Sequence, residues 1–128
     1  MYASSVTAPT RPARPPVLTA YFVQTVGPDH AARFLRDLRR QAAAGRFRLH
    51  LVADHGAGPV TEALRDRVER ALAGPLAAAL DRIAVCAPPP FAADAERLAG
   101  RLGVPVRHFV DDWHGAQRWL REPAPPRP

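Results

Sequence analysis

The sequence predicts an α/β fold, a single compact domain whose mostly parallel sheet of four to five strands alternates with helices. Apolar segments of strand length recur along the chain, and segments with apolar residues every three or four positions lie between them. Gly or Pro marks nearly every junction. A strand–helix–strand connection favours parallel pairing with a right-handed crossover, so the alternation implies a parallel sheet.

Residues 1–16 hold Pro9, Pro12, Pro15 and Pro16 among Ala, Ser, Thr and Arg. With little apolar surface to bury, they read as a disordered Pro-rich tail. The first strand is expected over 17–26, with Leu18, Ala20 and Phe22 on one face and Thr19, Tyr21, Val23 and Thr25 on the other. Gly27-Pro28-Asp29 ends it and opens a helix. Ala31, Phe34, Leu35, Leu38 and Ala42 fall on one side of that helix, its arginines on the other, and Gly45 stops it.

The stretch 46–64 is central. Phe47, Leu49, Leu51 and Ala53 alternate with Arg48, His50 and Asp54, the pattern of a strand with one dry face. Gly56-Ala57-Gly58-Pro59 breaks the strand, and Pro59 suits the first position of a helix carrying Val60, Leu64, Val68, Ala71 and Leu72. Gly74-Pro75 interrupts that helix. A third strand over 82–87 is nearly continuous apolar sequence, as strands buried on both faces are. Pro88-Pro89-Pro90 cannot join a ladder. Phe91, Ala95, Leu98 and Leu102 then make a helix that Gly103 closes. A fourth strand over 104–110 leads to Asp111 or Asp112, capping a last helix with Trp113, Ala116 and Leu120 on one face. Residues 122–128 form a second Pro-rich tail, so the domain is expected over 17–121. The alternating first and central strands imply that one sheet face is less covered than the other.

Composition limits the function classes. The 128 residues fit one domain, with 47% hydrophobic and 23% charged residues. The lone Cys86 excludes an internal disulfide framework and suits a reducing, cytoplasmic setting. No apolar run is long enough for a membrane span, and the first residues lack the basic start and apolar block of a signal peptide. All 18 basic residues are arginine, which with the Ala, Gly and Pro excess suggests a GC-rich bacterial coding sequence. The net charge of +6 admits nucleic acid, but aromatic residues are sparse and no basic stripe alternates with stacking rings, so nucleic acid is not the expected partner.

In an open α/β sheet, ligands bind outside the carboxyl ends of the strands. That singles out Asp54, His55, Gly56, Gly58 and Thr61 as partner- or ligand-binding candidates. Asp54-His55 as an acid/base pair is disfavoured, because adjacent strand residues point to opposite faces. Asp54 capping the turn is the simpler role. Gly56-x-Gly58 lacks the Gly-Lys-Ser/Thr of a phosphate loop and the third glycine of a dinucleotide fingerprint. Cys86 has no His near it in sequence and reads as a buried structural thiol. His108 and His114 do not make a metal-ligand spacing with a third ligand, so no metal or cofactor is expected.

The final segment, Val106-Arg-His-Phe109-Val-Asp-Asp112-Trp-His-Gly-Ala116-Gln-Arg-Trp119-Leu120, resembles the ending of small single-domain STAS proteins. These are the bacterial anti-sigma-factor antagonists, grouped with CRAL-TRIO lipid-transfer domains. The strands at 46–54 and 80–88 fall where that family would place its own. The resemblance implies a regulatory module, not an enzyme, that docks a partner protein through the turn and helix start after the central strand, with a homodimer also admitted. Such domains are sometimes switched by phosphorylation there. Here Thr61 is the only hydroxyl in 54–61, which argues against the switch. The alternative is a small-ligand binder holding an anionic or lipidic group at the same turn. A binder needs an apolar pocket beside the turn; a docking module needs an exposed apolar patch.

Overall fold

The computed structural model describes residues 1–7, 15–24, 26–54, 56–57, 60–72 and 74–123. In chain order these form β1 (Tyr2–Thr7), β2 (Val17–Phe22), α1 (Pro28–Ala44), β3 (Phe47–Ala53) and α2 (Glu62–Ala71). They continue with α3 (Pro75–Ala79), β4 (Leu80–Cys86), α4 (Pro89–Leu102), β5 (Val106–His108) and α5 (Trp113–Arg121). The strands stand in sequence order in one sheet, β1 antiparallel to β2 and every other pair parallel. This is the mostly parallel α/β architecture that the alternation of segments implies.

The N-terminus differs from expectation. Residues 8–14 and 124–128, parts of both expected tails, lie outside the described residues. Tyr2–Thr7, read from its composition as tail, is an edge strand with Tyr2 opposite Phe22 and Thr7 opposite Val17. The physical reason is one side chain. The Tyr2 ring is buried, 5.1 Å from the Phe22 ring and 6.1 Å from Phe34 between centroids. Its hydroxyl donates to Asp37 Oδ2 of α1 at 2.7 Å, and Ser4 Oγ donates to the same oxygen at 2.9 Å. Burial, then the Asp37 carboxylate, push the phenol above its ordinary range and keep its proton in place.

Crossovers of one hand between neighbouring parallel strands leave their helices on one side of the sheet. The larger core accordingly joins Leu18, Ala20 and Phe22 of β2, Leu49 and Leu51 of β3, and Ile83 and Val85 of β4 to the apolar faces of α1 and α4. Leu72 and Leu76 join it from the α2–α3 region. The alternate residues Val17 and Ala84 face the other way, against Ala116 and Leu120 of α5. Among the described residues only α5, which follows the last strand, covers that face, chiefly over β3 and β4.

Covering that face buries groups that alternation alone assigns to water. Arg48 is 2% exposed and His50 0%, and Arg82 is buried beside them. Arg48 Nε donates to Asp81 Oδ2 at 2.8 Å, and its Nη1 donates to the Leu120 carbonyl at 2.6 Å and to that of Glu122. Arg82 Nη1 donates to the Trp119 carbonyl at 2.8 Å, with its guanidinium 5.2 Å over the Trp119 ring. The last carbonyls of a helix lack intrahelical donors and carry the negative end of its dipole, so two guanidiniums satisfy them. At the other end Asp112 Oδ1 accepts from Gly115 N at 2.9 Å, and a Cβ at position 115 would collide with that carboxylate.

Tyr2→Ala is expected to destabilise the fold by about 3 kcal/mol, as large-to-small aromatic changes in cores do. Removing residues 1–7 should lower the melting temperature by many degrees. Arg48→Leu is expected to cost about 3 kcal/mol, because one partner of a buried pair is lost and helix carbonyls are left unmet. Denaturant unfolding measures the two substitutions, and thermal unfolding measures the truncation.

Candidate functional site

The candidate turn follows β3. Asp54 Oδ1 accepts from the Gln24 amide at 2.9 Å, and Ala57 N donates back to the Asp54 carbonyl at 3.2 Å. Gln24 has φ 63°, in the left-handed region that side chains other than glycine rarely adopt. Asp54 therefore ties the β2–α1 connection to the β3–α2 connection, a structural acceptor as the turn chemistry suggests. A Cβ on Gly56 would stand 3.3 Å from Gln24 Cα, so the glycine allows two connections to approach closely. His55, Gly58 and Pro59 lie outside the described residues.

The helix after the turn begins later than Pro59 suggests. Thr61 is its N-cap, with extended backbone and a side chain that accepts from Leu64 N at 3.4 Å. The sequence placed Thr61 inside the helix; it precedes it, because a hydroxyl one residue before Glu62 satisfies an amide that the helix leaves free.

Beside this turn the helix side of the sheet holds an apolar cleft of about 70 Å³. Phe22 and Leu51 supply its floor from the carboxyl halves of β2 and β3, and α1, α2 and α4 its walls through Phe34, Leu64, Val68, Phe91 and Leu98. Phe22 meets Phe34 at 5.3 Å and Phe91 at 5.5 Å between ring centroids. Val60, at the end of the turn, also lines it. The polar lining is Arg65, Glu69 and Asp94, already engaged with neighbours. Arg65 Nη1 pairs with Asp94 Oδ1 at 3.0 Å, Asp94 Oδ2 accepts from Val60 N at 2.9 Å, and Arg101 pairs with Glu69 at 2.7 Å. Arg65 Nε is a buried donor without a hydrogen-bond partner among the described residues.

The sequence missed this cleft, since its aromatic residues belong to separate elements and only sheet order brings them together. The local signal, an aromatic residue at the end of one strand and one near the start of each of two helices, is also that of ordinary core.

A second constellation lies on the α5 face. Cys86, without a His close in sequence, has one in space: His50 Nε2 is 3.3 Å from Cys86 Sγ. The Gln117 amide nitrogen is 2.7 Å from His50 Nδ1; with Nδ1 assigned as acceptor of that N–H, the ring proton is placed on Nε2, towards the sulfur. The imidazole then has no lone pair free to take the thiol proton. Burial pushes His50 down to about 4, while burial, then Asp112 and Asp111, push Cys86 up. Both shifts favour the neutral pair, opposite to what activates a thiolate. Trp113 closes over His50 at 4.5 Å between centroids.

His108 Nε2 lies 3.0 Å from the Ala87 carbonyl. Among the described residues no three His, Cys, Asp or Glu side chains are grouped to hold a metal ion, and no helix is long and apolar enough to cross a membrane. Comparison of the chain with protein-family models, with curated proteins and with solved structures found no match.

His50 makes stability depend on pH. Its folded value of about 4 lies below the ordinary 6.5, so below that ordinary value the unfolded chain binds a proton that the folded chain refuses. The contribution is complete above pH 6.5 and is lost as the pH falls towards 4, in total up to about 3 kcal/mol. His50→Gln should flatten the stability profile across that window, read by urea unfolding at a series of pH values. Thr61→Ala should cost about 0.5–1 kcal/mol in the same assay, the lower range for an N-cap.

Proposed function

We propose that this protein is a non-catalytic binding module that takes a small, uncharged, mainly apolar ligand into the cleft beside the turn. One observation carries the reading: an apolar cleft at the carboxyl rim of the sheet, walled by aromatic rings and lined in part by Arg65, whose buried Nε has no hydrogen-bond partner among the described residues. Open α/β sheets bind ligands at that rim. The volume of about 70 Å³ is room for on the order of two water-sized groups, so the enclosed part of the ligand is short.

The charges favour a neutral ligand over an anionic one. Arg65 is paired with Asp94 and Glu69 with Arg101, so the lining offers no surplus cation for an acid. A single acceptor oxygen facing Arg65 Nε would satisfy the orphan donor.

Docking of a partner protein, the role implied by the STAS resemblance, draws its support from the alternation of elements and the Trp-Leu helix ending. Its further requirement is an exposed apolar patch at the turn. Among the described residues the exposed large apolar side chains are Met1, Val6, Val110 and Trp113, none belonging to the turn. The cleft therefore favours the small-ligand reading.

Straight-chain alcohols test it. Affinity, followed by chemical shifts of cleft residues, should rise about fourfold per added methylene, the equivalent of about 0.8 kcal/mol, until the cleft is full. Leu98→Trp, which fills the space, should abolish the effect. Equal affinity along the series, or an unchanged response in Leu98→Trp, would overturn the proposal.

A further inference from the structure

The opposite face of the sheet carries a different kind of site. Because α5 stands over β3 and β4, none of the described residues covers the β1–β2 half of that face, and a groove of about 730 Å³ runs between it and the helix. Ligand sites of small molecules commonly fall near this size. We propose that this groove binds a phosphate ester of a small molecule.

Its wall is one face of α5. Trp113, Gln117 and Arg121 follow at intervals of four, and Arg118 lies three positions before Arg121, so the two guanidiniums are neighbours on the helix surface. Several arginines elsewhere are engaged, Arg48 by Asp81 and helix carbonyls, Arg65 by Asp94 and Arg101 by Glu69. Arg33, Arg36, Arg39 and Arg40 of α1 stand exposed with no carboxylate within ion-pair distance among the described residues. Among the described residues neither Arg118 nor Arg121 has a carboxylate within ion-pair distance, and no Asp or Glu lines the groove. Two adjacent unpaired guanidiniums present more donors than one carboxylate can accept, whereas a phosphate monoester has three terminal oxygens and a charge near −2. The floor adds the hydroxyls of Thr19, Ser5 and Thr7. At the far end Trp113 stacks on Tyr21, 5.8 Å between centroids and 18° between planes, while remaining 38% exposed. That gives the non-phosphate part of the ligand a flat apolar wall.

A small molecule fits better than a nucleic acid strand. Single-strand binders track a backbone with a continuing basic groove and several free rings; here there is one pair of guanidiniums, and the exposed ring already stacks on its neighbour.

Adenosine 5′-monophosphate and inorganic phosphate, titrated into the full chain by calorimetry at low salt, test this. The nucleotide should bind saturably at one site, with Trp113 fluorescence changing in step. The double variant Arg118→Ala, Arg121→Ala should weaken it by at least about tenfold, the loss of roughly one charge-assisted contact, without moving the melting temperature. Arg36→Ala on α1, exposed on the opposite face, should leave it unchanged, and so should Leu98→Trp in the cleft. Phosphate binding as tightly as the nucleotide assigns recognition to the phosphate alone; weaker phosphate assigns part of it to the aromatic wall. Both results support the site. Absence of saturable binding by both probes, an equal loss in Arg36→Ala, or an unaffected double variant would overturn it. A short oligoadenylate binding far more tightly than the nucleotide would overturn it in favour of single-stranded nucleic acid.

Discussion

The attachment of α5 depends on two buried guanidiniums meeting the end of a helix. Arg48 and Arg82 reach from adjacent strands to the carbonyls of Trp119, Leu120 and Glu122, and Asp81 balances Arg48 from the side. Burying such charges is costly unless every donor is met. Here the dipole end and the Asp81 carboxylate meet them together. Apolar contact through Ala116 and Leu120 would hold the helix to the sheet without fixing where it ends. Hydrogen bonds to three carbonyls at its end fix that. With α5 placed, Trp113 falls over His50, Gln117 reaches the same ring, and the open groove is left beside them.

The sheet thus separates two environments. On the side of α1 to α4 the connecting helices leave an apolar cleft, and the charges at its lining cancel in pairs. On the α5 side one helix faces strands whose side chains are largely polar, and its last turn carries arginines with no ion pair among the described residues. Sequential strand order produces this contrast: with every crossover on one side, the opposite face has a single helix to cover it.

Much of the fold was legible in the sequence because apolar period and Gly/Pro punctuation act locally. Gly103, with φ 68°, stops α4 where expected, and Asp112 caps α5. What was not legible depends on distant partners. Tyr2 became a strand anchor because Phe22, Phe34 and Asp37 surround it, none of which its own segment announces. Arg48 and His50 alternate like surface residues, and only a helix some 70 positions away buries them. The His50–Cys86 contact joins neighbouring strands, so spacing along the chain could not show it. In the candidate turn after β3, the Asp54 carboxylate is taken up by the Gln24 amide, a partner from another connection that spacing along the chain does not show.

That structural role still bears on the cleft. Gln24 in a left-handed conformation costs about 1–2 kcal/mol for a residue with a Cβ. A hydrogen bond from its amide to a carboxylate is worth a similar amount, less where water competes, so Asp54 offsets the strain in part. Beyond Gln24, Val26 is buried, and Val26 and Ala31 line the cleft together with Phe34. Gly56 permits the approach that the hydrogen bond requires, since any side chain there would crowd Gln24 Cα at 3.3 Å. Asp54 and Gly56 therefore bear on the cleft through the wall they hold in place, and the turn that stands out in the sequence is its frame.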